Sequence, residues 1–166
     1  MTGHKNIGEA VKKMYDAGHE IANHSYSHAH VSNLNYDKNV EQIKKCADII
    51  QNITERRTTL YRGPYGEYNN TVIKASVEQN HIMVQWSIDT LDYTGLTPTE
   101  MCRRIDSKLS NGDIILMHNG TKNTAVALPM IIEQIKKKEY NIVPVSELIY
   151  LNNYSIDEAG IQHLSE

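Results

Sequence analysis

The sequence contains no phenylalanine, one tryptophan, four prolines and two cysteines among its 166 residues. The two cysteines, Cys46 and Cys102, stand far apart and form no C-x-x-C pair, which argues against a disulfide or a cysteine-based metal knuckle. Both fall within predicted helices, so we interpret them as buried free thiols. The cysteines therefore leave the cellular compartment open.

Long hydrophobic runs and clustered positive charge are also absent. No apolar run approaches the roughly 18 residues that a membrane span requires, and the first residues lack the apolar region of a signal peptide. Seventeen basic residues against twenty acidic ones give a formal charge of −3, and the longest basic run, 136–138, suits the end of a helix. These absences predict a soluble chain without a membrane span, an export signal or a nucleic-acid partner.

Tyrosine, by contrast, is abundant: ten residues carry a ring with a polar end. Such rings suit a sugar-binding cleft, but they suit ordinary half-buried positions equally well. The hydrophobic content of 40% is enough for one core, which predicts a single domain over residues 1–150. The remaining segment, 151–166, has weak periodicity and is expected to be a loose helix or partly disordered.

Hydrophobic periodicity predicts alternating helices and short strands. Helices are expected over 7–17, 35–52, 70–79, 97–112 and 124–138. Thr97, Pro98 and Glu100 give the fourth of these a capping box. Strands are expected over 20–22, 58–61, 82–86, 113–117 and 142–145. This alternation predicts an α/β fold with a parallel sheet and right-handed crossovers.

Residues suited to catalysis or binding follow several of these strands. In a parallel sheet the carboxyl ends of the strands share one edge, so the side chains that follow them are expected to gather there. The residues concerned are His24, His28, Arg62, Tyr65, Asp89, Asp92 and His118.

The histidine pair in segment 24–28, His-Ser-Tyr-Ser-His, is a candidate metal site. Two imidazoles four residues apart lie on one face if the segment turns helically, and both can then reach one divalent ion. The alternative is a pair of surface or hydrogen-bonded histidines.

Four ordered segments carry a more specific resemblance. Segments 24–28, 62–66 (Arg-Gly-Pro-Tyr-Gly), 89–93 (Asp-Thr-Leu-Asp-Tyr) and 116–118 (Leu-Met-His) occur in the order and approximate spacing of one enzyme family. The chain resembles the polysaccharide deacetylases with a NodB homology domain, carbohydrate esterase family 4. The resemblance covers roughly residues 7–150, and parts of it look like the sporulation-type members of Gram-positive bacteria. It implies a distorted (β/α) barrel.

The resemblance implies roles for three histidines and one aspartate. His24 and His28 resemble two ligands of a divalent metal, usually zinc, that polarises the acetamide carbonyl. His118 is similar to the general acid that protonates the departing amine, and Asp92 to the carboxylate that hydrogen-bonds to it. The alternative for His118 is a strand-end histidine bound to a backbone carbonyl.

Four further residues carry roles that the resemblance implies. Arg62 resembles the residue that orients the catalytic carboxylate, although a structural salt bridge would look the same in sequence. The backbone N–H of Tyr65 would donate to the oxyanion. Tyr65, Tyr93 and Leu116 would contact substrate, Leu116 in an acetyl-methyl pocket or else as plain core. Tyr93 stands where the family usually has tryptophan.

One family feature is missing from the sequence. Family members carry a Thr-Phe-Asp-Asp-like segment that supplies the base and a metal-binding aspartate, and no such segment occurs here. Asp16 and Glu20 are not expected to replace them, and His30 is expected on the solvent side. We therefore expect an incomplete barrel of about five parallel strands, without the family's first strands. Its exposed sheet edges could pair two copies into a homo-oligomer.

These observations predict a metal-dependent deacetylase that acts on N-acetylated polysaccharides, peptidoglycan or a chitin-like polymer, in the cell envelope or outside the cell. Two alternatives stay open: a non-catalytic glycan-binding or sporulation protein on the same scaffold, and an acetylxylan esterase. A shortened piece of an active enzyme and a naturally short homologue would give the same sequence.

Overall fold

The computed structural model describes residues 3–165, with side chains from residue 7 onward. The chain divides into two compact units, Met1–Gln85 and Trp86–Glu166. Both cysteines are free thiols, as predicted, but Cys46 is half-buried rather than buried, whereas Cys102 is buried. In the described part of the chain, no helix is both long enough and apolar enough to cross a membrane.

The first unit contains three α-helices and one pair of short parallel strands. Its elements are α1 (Gly3–Asp16), α2 (Tyr36–Thr54), β1 (Leu60–Tyr61), α3 (Asn70–Glu78) and β2 (Ile82–Met83). Leu60 pairs with Ile82 in the parallel register, and Asn23 forms an isolated parallel bridge with Tyr61. The bridge places the segment that follows Asn23 beside the end of β1.

Asparagine caps determine where two helices of this unit begin. The side chains of Asn35 and Asn69 accept hydrogen bonds from the backbone N–H groups of Lys38 and Val72, which satisfies a donor that the first helical turn leaves unpaired. The apolar faces of these helices enclose a core of five buried residues: Val31, Ile43, Tyr61, Val72 and Ala75.

The second unit repeats the pairing of helices with two parallel strands and adds a hairpin. Its elements are β3 (Ile88–Asp89), α4 (Pro98–Asp106), β4 (Ile115–Leu116), α5 (Thr124–Lys137), α6 (Val145–Leu148), β5 (Tyr154–Ile156) and β6 (Gln162–Leu164). Asp89 pairs with Leu116 in the parallel register, so the segments following β3 and β4 leave the strands side by side. The predicted capping box at Thr97 and Glu100 is confirmed. The helices pack around a core that includes Ile88, Met101, Ile105 and Ile131.

The α/β class is confirmed, but two predicted strands are absent and one residue predicted in a loop lies in a strand. Segment 20–22 forms no strand and contributes only the neighbouring bridge of Asn23. Asp89, expected in a loop, ends β3. Segment 142–145 is not a strand, because Pro144 lacks an N–H for a ladder and instead precedes the first turn of α6.

Two further boundaries differ from the predictions. Helix α4 ends at Asp106, before the predicted end near Gly112, and the chain then turns toward β4. The tail is an antiparallel hairpin rather than a loose helix or a disordered segment. Its turn is built by the Asp157 carboxylate, which accepts hydrogen bonds from the N–H groups of Ala159 and Ile161.

In residues 3–165, the parallel strands occur as two separate pairs rather than as one sheet of about five strands. Each of these parallel strands is only two residues long. The strands predicted from apolar runs in the sequence were therefore too long. The incomplete barrel and the single domain through residue 150 stay predictions.

Candidate active site

Asn23 fixes the start of the histidine segment. Its N–H donates to the carbonyl of Leu60 (2.9 Å), and its own carbonyl accepts from the N–H of Arg62 (3.0 Å). Its side-chain amide donates to the carbonyl of Ile43 (2.8 Å), and its side-chain oxygen accepts from the N–H of Ser25 (3.0 Å). Asn23 is buried, so these bonds tie the segment to both β1 and α2.

Gln42, on α2, holds the middle of the same segment. Its side-chain oxygen accepts from the hydroxyl of Ser25 (2.8 Å) and from the N–H and hydroxyl of Ser27 (2.9 and 3.0 Å). Sequence reasoning missed Asn23 and Gln42. The asparagine directly before the histidine pair was the available sequence signal for Asn23, and helical spacing gave none for Gln42.

The two imidazoles are adjacent, but a loop rather than a helical turn brings them together. Ser25 and His28 have left-handed backbones (φ 71° and 55°), and their segment is not helical. The ring centroids of His24 and His28 lie 5.1 Å apart with an interplanar angle of 76°. Nδ1 of His24 lies 2.7 Å from the carbonyl oxygen of Arg62 and therefore donates to it, so a metal would have to bind at Nε2.

The metal-binding capacity of this pair can be tested against its donor set. Two neighbouring imidazoles, one of them oriented by a backbone carbonyl, are suited to zinc. Protein zinc sites have three or four protein ligands, however, and the described side chains, residues 7–165, include no group of three or more His, Cys, Asp or Glu that could hold a metal. The pair therefore fits two positions of a metal site.

The turn at residues 62–66 presents Tyr65 in a strained conformation. Tyr65 has φ 59° and its side chain is largely exposed, while Pro64 beside it is buried. Gly63 permits the turn because a Cβ atom at this position would lie 2.2 Å from the carbonyl oxygen of Glu67. Burial lowers the pKa of the Arg62 guanidinium, which nonetheless stays charged.

His30 and Glu67 support the Tyr65 ring. The His30 imidazole stacks on this ring with centroids 4.1 Å apart, and the His28 ring meets it edge-on at 4.8 Å. Nδ1 of His30 lies 2.6 Å from a carboxylate oxygen of Glu67. Hydrogen bonds from His30 and Ser32 lower the pKa of Glu67 to about 2. The half-exposed His30 side chain thus braces Tyr65.

In the second unit, Asp92 and His118 form a hydrogen-bonded pair. The Asp92 side chain is fully buried, and Oδ1 lies 2.8 Å from Nδ1 of His118. Oδ2 accepts from the N–H of His118 (2.6 Å) and from the hydroxyl of Thr124 (2.7 Å). Since a carboxylate only accepts, Nδ1 of His118 carries a proton and Nε2 is left for proton transfer.

The carboxylate of Asp92 stays ionised in spite of its burial. Burial raises its pKa, but the hydrogen bonds from Thr124 and His118 outweigh this effect and bring the pKa below its ordinary value of 3.8. Thr124 is a further residue that sequence reasoning missed, and its position at the start of α5 was the only signal.

Tyr93 and Leu116 flank this pair differently. The Tyr93 ring is exposed and meets the His118 ring edge-on at 5.3 Å, while its hydroxyl donates to the Asp89 carboxylate at 3.3 Å. Leu116 is 4% exposed. The structure thus groups the predicted residues within each unit: His24, His28, Arg62 and Tyr65 in the first, and Asp89, Asp92, Tyr93, Leu116 and His118 in the second.

Comparison with known families assigns the chain. Residues 1–84, half of the chain, match the family model for polysaccharide deacetylase. The chain belongs to the polysaccharide deacetylase family. The uncharacterised protein YlxY of Bacillus subtilis is 35% identical to this family member over 145 residues, which cover 87% of this chain and 45% of the relative. A peptidoglycan-N-acetylglucosamine deacetylase of Bacillus cereus is 32% identical over 142 residues, or 83% of this chain and 52% of that protein.

Solved structures of carbohydrate esterase family 4 agree with this assignment. A pseudoenzyme of this family from Bacillus anthracis has a TM-score of 0.82 and 28% identity, covering 87% of this polysaccharide deacetylase family member and 51% of that chain. A mutant of the same pseudoenzyme with restored activity has the same TM-score and 29% identity, covering 87% and 53%. The chain spans about half the length of these four relatives.

Proposed function

We propose that this chain takes part in the metal-dependent hydrolysis of N-acetyl groups on N-acetylglucosamine-type polymers, peptidoglycan above all. The observation that carries the proposal is the buried Asp92 carboxylate, which holds Nδ1 of His118 and leaves Nε2 of a partly exposed imidazole for proton transfer. A peptidoglycan deacetylase among the relatives supports the substrate class. Such a substrate places the protein in the cell envelope or outside the cell.

His118 is the proposed general acid. Hydrolysis of the acetamide places a hydroxyl group on the acetyl carbon and breaks the C–N bond, and the departing sugar amine must gain a proton. A protonated imidazole can supply this proton from Nε2, and the ionised Asp92 stabilises the imidazolium form before transfer.

The other site residues are given positioning and binding roles. The backbone N–H of Tyr65 donates to the developing oxyanion, in a turn whose strained φ of 59° holds the amide in place. Arg62 orients a catalytic carboxylate. The exposed rings of Tyr65 and Tyr93 contact the sugar, and Leu116 contacts the acetyl methyl group.

His24 and His28 are the proposed metal ligands, with zinc as the expected ion. When bound, the metal supplies Lewis acidity that polarises the acetamide carbonyl and eases the ionisation of water. The chain's own contribution is orientation: the Arg62 carbonyl fixes the His24 ring, and Gln42 holds the two serines between the histidines.

Acetate release from N-acetylated peptidoglycan tests this proposal. We expect His118→Ala to lower the rate by about 10²–10⁴-fold, because the departing amine loses its proton donor. His163→Ala is the matched control, since its ring also lies 2.8 Å from an aspartate, the exposed Asp157. It should leave the rate unchanged.

Three outcomes of this assay distinguish the possibilities. An unchanged rate in His118→Ala contradicts the general-acid assignment. A chelator such as EDTA should abolish acetate release, and release that survives chelation contradicts metal dependence. Parallel assays on acetylated xylan identify an esterase if that substrate is hydrolysed faster than peptidoglycan.

A second candidate is a non-catalytic glycan-binding protein. It is favoured by the donor set, since the described residues supply two imidazoles and no third metal ligand, and by the likeness to a pseudoenzyme. This candidate predicts saturable binding of an N-acetylglucosamine oligomer in the presence of EDTA, without acetate release. Titration calorimetry with EDTA measures the first property and the acetate assay measures the second.

A further inference from the structure

Two threonine hydroxyls extend the hydrogen-bonded pair of Asp92 and His118. The hydroxyl of Thr124 donates to Oδ2 of Asp92 at 2.7 Å. The hydroxyl of Thr121 is hydrogen-bonded to that of Thr124. Because the proton of Thr124 points at the carboxylate, Thr121 donates and Thr124 accepts in this second bond. Thr121 thus donates to Thr124, while Thr124 and His118 both donate to the Asp92 carboxylate.

The two oxygens of Asp92 have different partners, and Thr124 helps to maintain this difference. Oδ1 accepts from Nδ1 of His118, whereas Oδ2 accepts from the backbone N–H of His118 and from Thr124. The Asp92 side chain is completely buried, so bulk water does not reach it to replace a lost donor. Removing the Thr124 hydroxyl thus leaves one oxygen of a buried carboxylate with a single donor.

The start of helix α5 holds Thr124 in place. It is the first residue of α5, and the preceding Asn123 donates its side-chain amide to the carbonyl of Leu96 at 2.9 Å. The N–H groups of Val126 and Ala127 donate to the carbonyl of Asn123. The hydroxyl therefore approaches Asp92 from a fixed helix end rather than from a loose loop.

We propose that Thr124 is a positioning residue, which holds the Asp92 carboxylate in the orientation that directs Oδ1 to Nδ1 of His118. This contact fixes the imidazole tautomer that presents Nε2 to the departing amine. The inference rests on the proposed function of His118 as general acid. Thr124 acts through Asp92 and contacts no reacting atom.

The charge state of Asp92 supports the same role. Burial raises the pKa of this carboxyl, and the Thr124 hydrogen bond is the largest of the effects that lower it. Loss of the hydroxyl should raise the pKa of Asp92, because the charged form loses a donor in a site without solvent.

Substitution of Thr124 by valine, which has the same shape without the hydroxyl, tests the proposal. We expect Thr124→Val to lower kcat at least tenfold with little change in KM, and Thr124→Ser to restore most of the rate. ¹⁵N NMR of the imidazoles should show His118 as a single Nδ1–H form in the wild type and Thr124→Ser. In Thr124→Val we expect a mixture of tautomers. Carbon NMR of the Asp92 carboxyl should show its titration shifted to higher pH in Thr124→Val.

The NMR measurements separate this inference from the proposed function. Suppose that the wild type releases no acetate, but that the His118 tautomer differs between the wild type and Thr124→Val as expected. This result contradicts the proposed activity and supports the positioning role. A His118 tautomer and an Asp92 titration that are both unchanged in Thr124→Val overturn the positioning role, whatever the acetate assay shows. If Thr124→Val does not fold, Thr124→Ala removes the same hydroxyl without a β-branched side chain, and the same readings apply to it.

Discussion

Asp92 and Asp157 each lie 2.8 Å from a histidine nitrogen, yet their surroundings differ completely. The Asp92 side chain is 0% exposed, whereas that of Asp157 is 39% exposed and closes a hairpin turn. A buried carboxylate interacts strongly with its imidazole because solvent does not screen the pair, and an exposed pair contributes little. The family resemblance predicted Asp92 and His118 as partners, a pairing that the hydrogen bonds confirm, but burial and the Thr124 contact could not be derived from sequence.

Backbone strain also marks single residues. Among the described residues, eight other than glycine have positive φ, and four of them follow helices or precede β5: Glu55, Asn80, Glu139 and Asn153. The other four lie in the sequence motifs: Ser25, His28, Tyr65 and Leu91. Strain in non-glycine residues persists only where the surroundings enforce it, and it is frequent at functional sites. Residue type gave no signal of it, because none of these four is glycine or asparagine.

Buried His81 predicts a pH dependence of stability. Its Nδ1 donates to the carbonyl of Gln79 and its Nε2 accepts from the hydroxyl of Thr58, both at 2.8 Å. Burial lowers the pKa of His81 below 6.5, so the unfolded state takes up a proton at higher pH than the folded state. Stability should therefore fall as the pH drops from 6.5 toward the folded-state pKa.

Urea unfolding at pH 7.5 and pH 5.5 measures this effect. We expect His81→Gln to lose part of the stability difference that the wild type shows between the two pH values. The exposed His19, substituted in the same way, should keep the full difference. An equal difference in all three proteins contradicts the assignment of this pH dependence to His81.

At the scale of elements, helices were far more predictable than strands. Caps such as Asn35 and Thr97 are local signals, and the helices they begin start where the sequence predicted. Paired strands of two residues carry no period, so β3 was assigned to a loop. The hairpin at the chain's end depends on the Asp157 carboxylate and its contacts with the turn, which periodicity does not reveal.

The turn after β1 depends on a glycine at position 63. We expect Gly63→Ala to destabilise the protein by about 1–3 kcal/mol, because the new Cβ would lie 2.2 Å from the backbone oxygen of Glu67. Gly8→Ala is the opposite case. Gly8 lies within α1, its Cβ would meet only the end of Ile53 at 3.9 Å, and alanine should stabilise the helix by about 0.5–1 kcal/mol.

Denaturant unfolding of both variants checks these signs. A Gly63→Ala protein as stable as the wild type contradicts the close approach of the two backbone segments. Circular dichroism of the folded variants controls for a change of helix content.

At the scale of the whole chain, the ordered motifs predicted the family, and the family assignment is confirmed. In one of the four motifs the structure shows why the residue matters, because a Cβ atom at position 63 would lie 2.2 Å from the carbonyl oxygen of Glu67. The individual roles of the motif residues stay predictions, as do the metal and the glycan. Three residues outside the recognised roles support the motifs: Gln42 binds Ser25, Glu67 binds His30 and Thr124 binds Asp92. No distinctive sequence pattern marks these three residues.

Metal binding should change the stability of the whole chain. A ligand that binds only the folded state at 100 times its Kd stabilises that state by about 2.7 kcal/mol. We expect zinc, added after EDTA treatment, to raise the Tm of the wild type and of His19→Ala. It should not raise the Tm of His24→Ala or His28→Ala.

Differential scanning fluorimetry gives the Tm, and elemental analysis gives the metal content of each protein. Stoichiometric zinc in either His24→Ala or His28→Ala contradicts the assignment of that residue as a ligand. A Tm rise of the same size in all four proteins indicates that zinc binds elsewhere.

The Asn23 bridge has a consequence for the motions of the first unit. The N–H of Asn23 and that of Arg62 are each protected by a bond to the opposite segment, through the carbonyls of Leu60 and Asn23. Neither bond can open alone without straining the other, so the two amides should exchange with deuterium at one shared rate. The histidine segment would then open together with the end of β1, as a single cooperative unit.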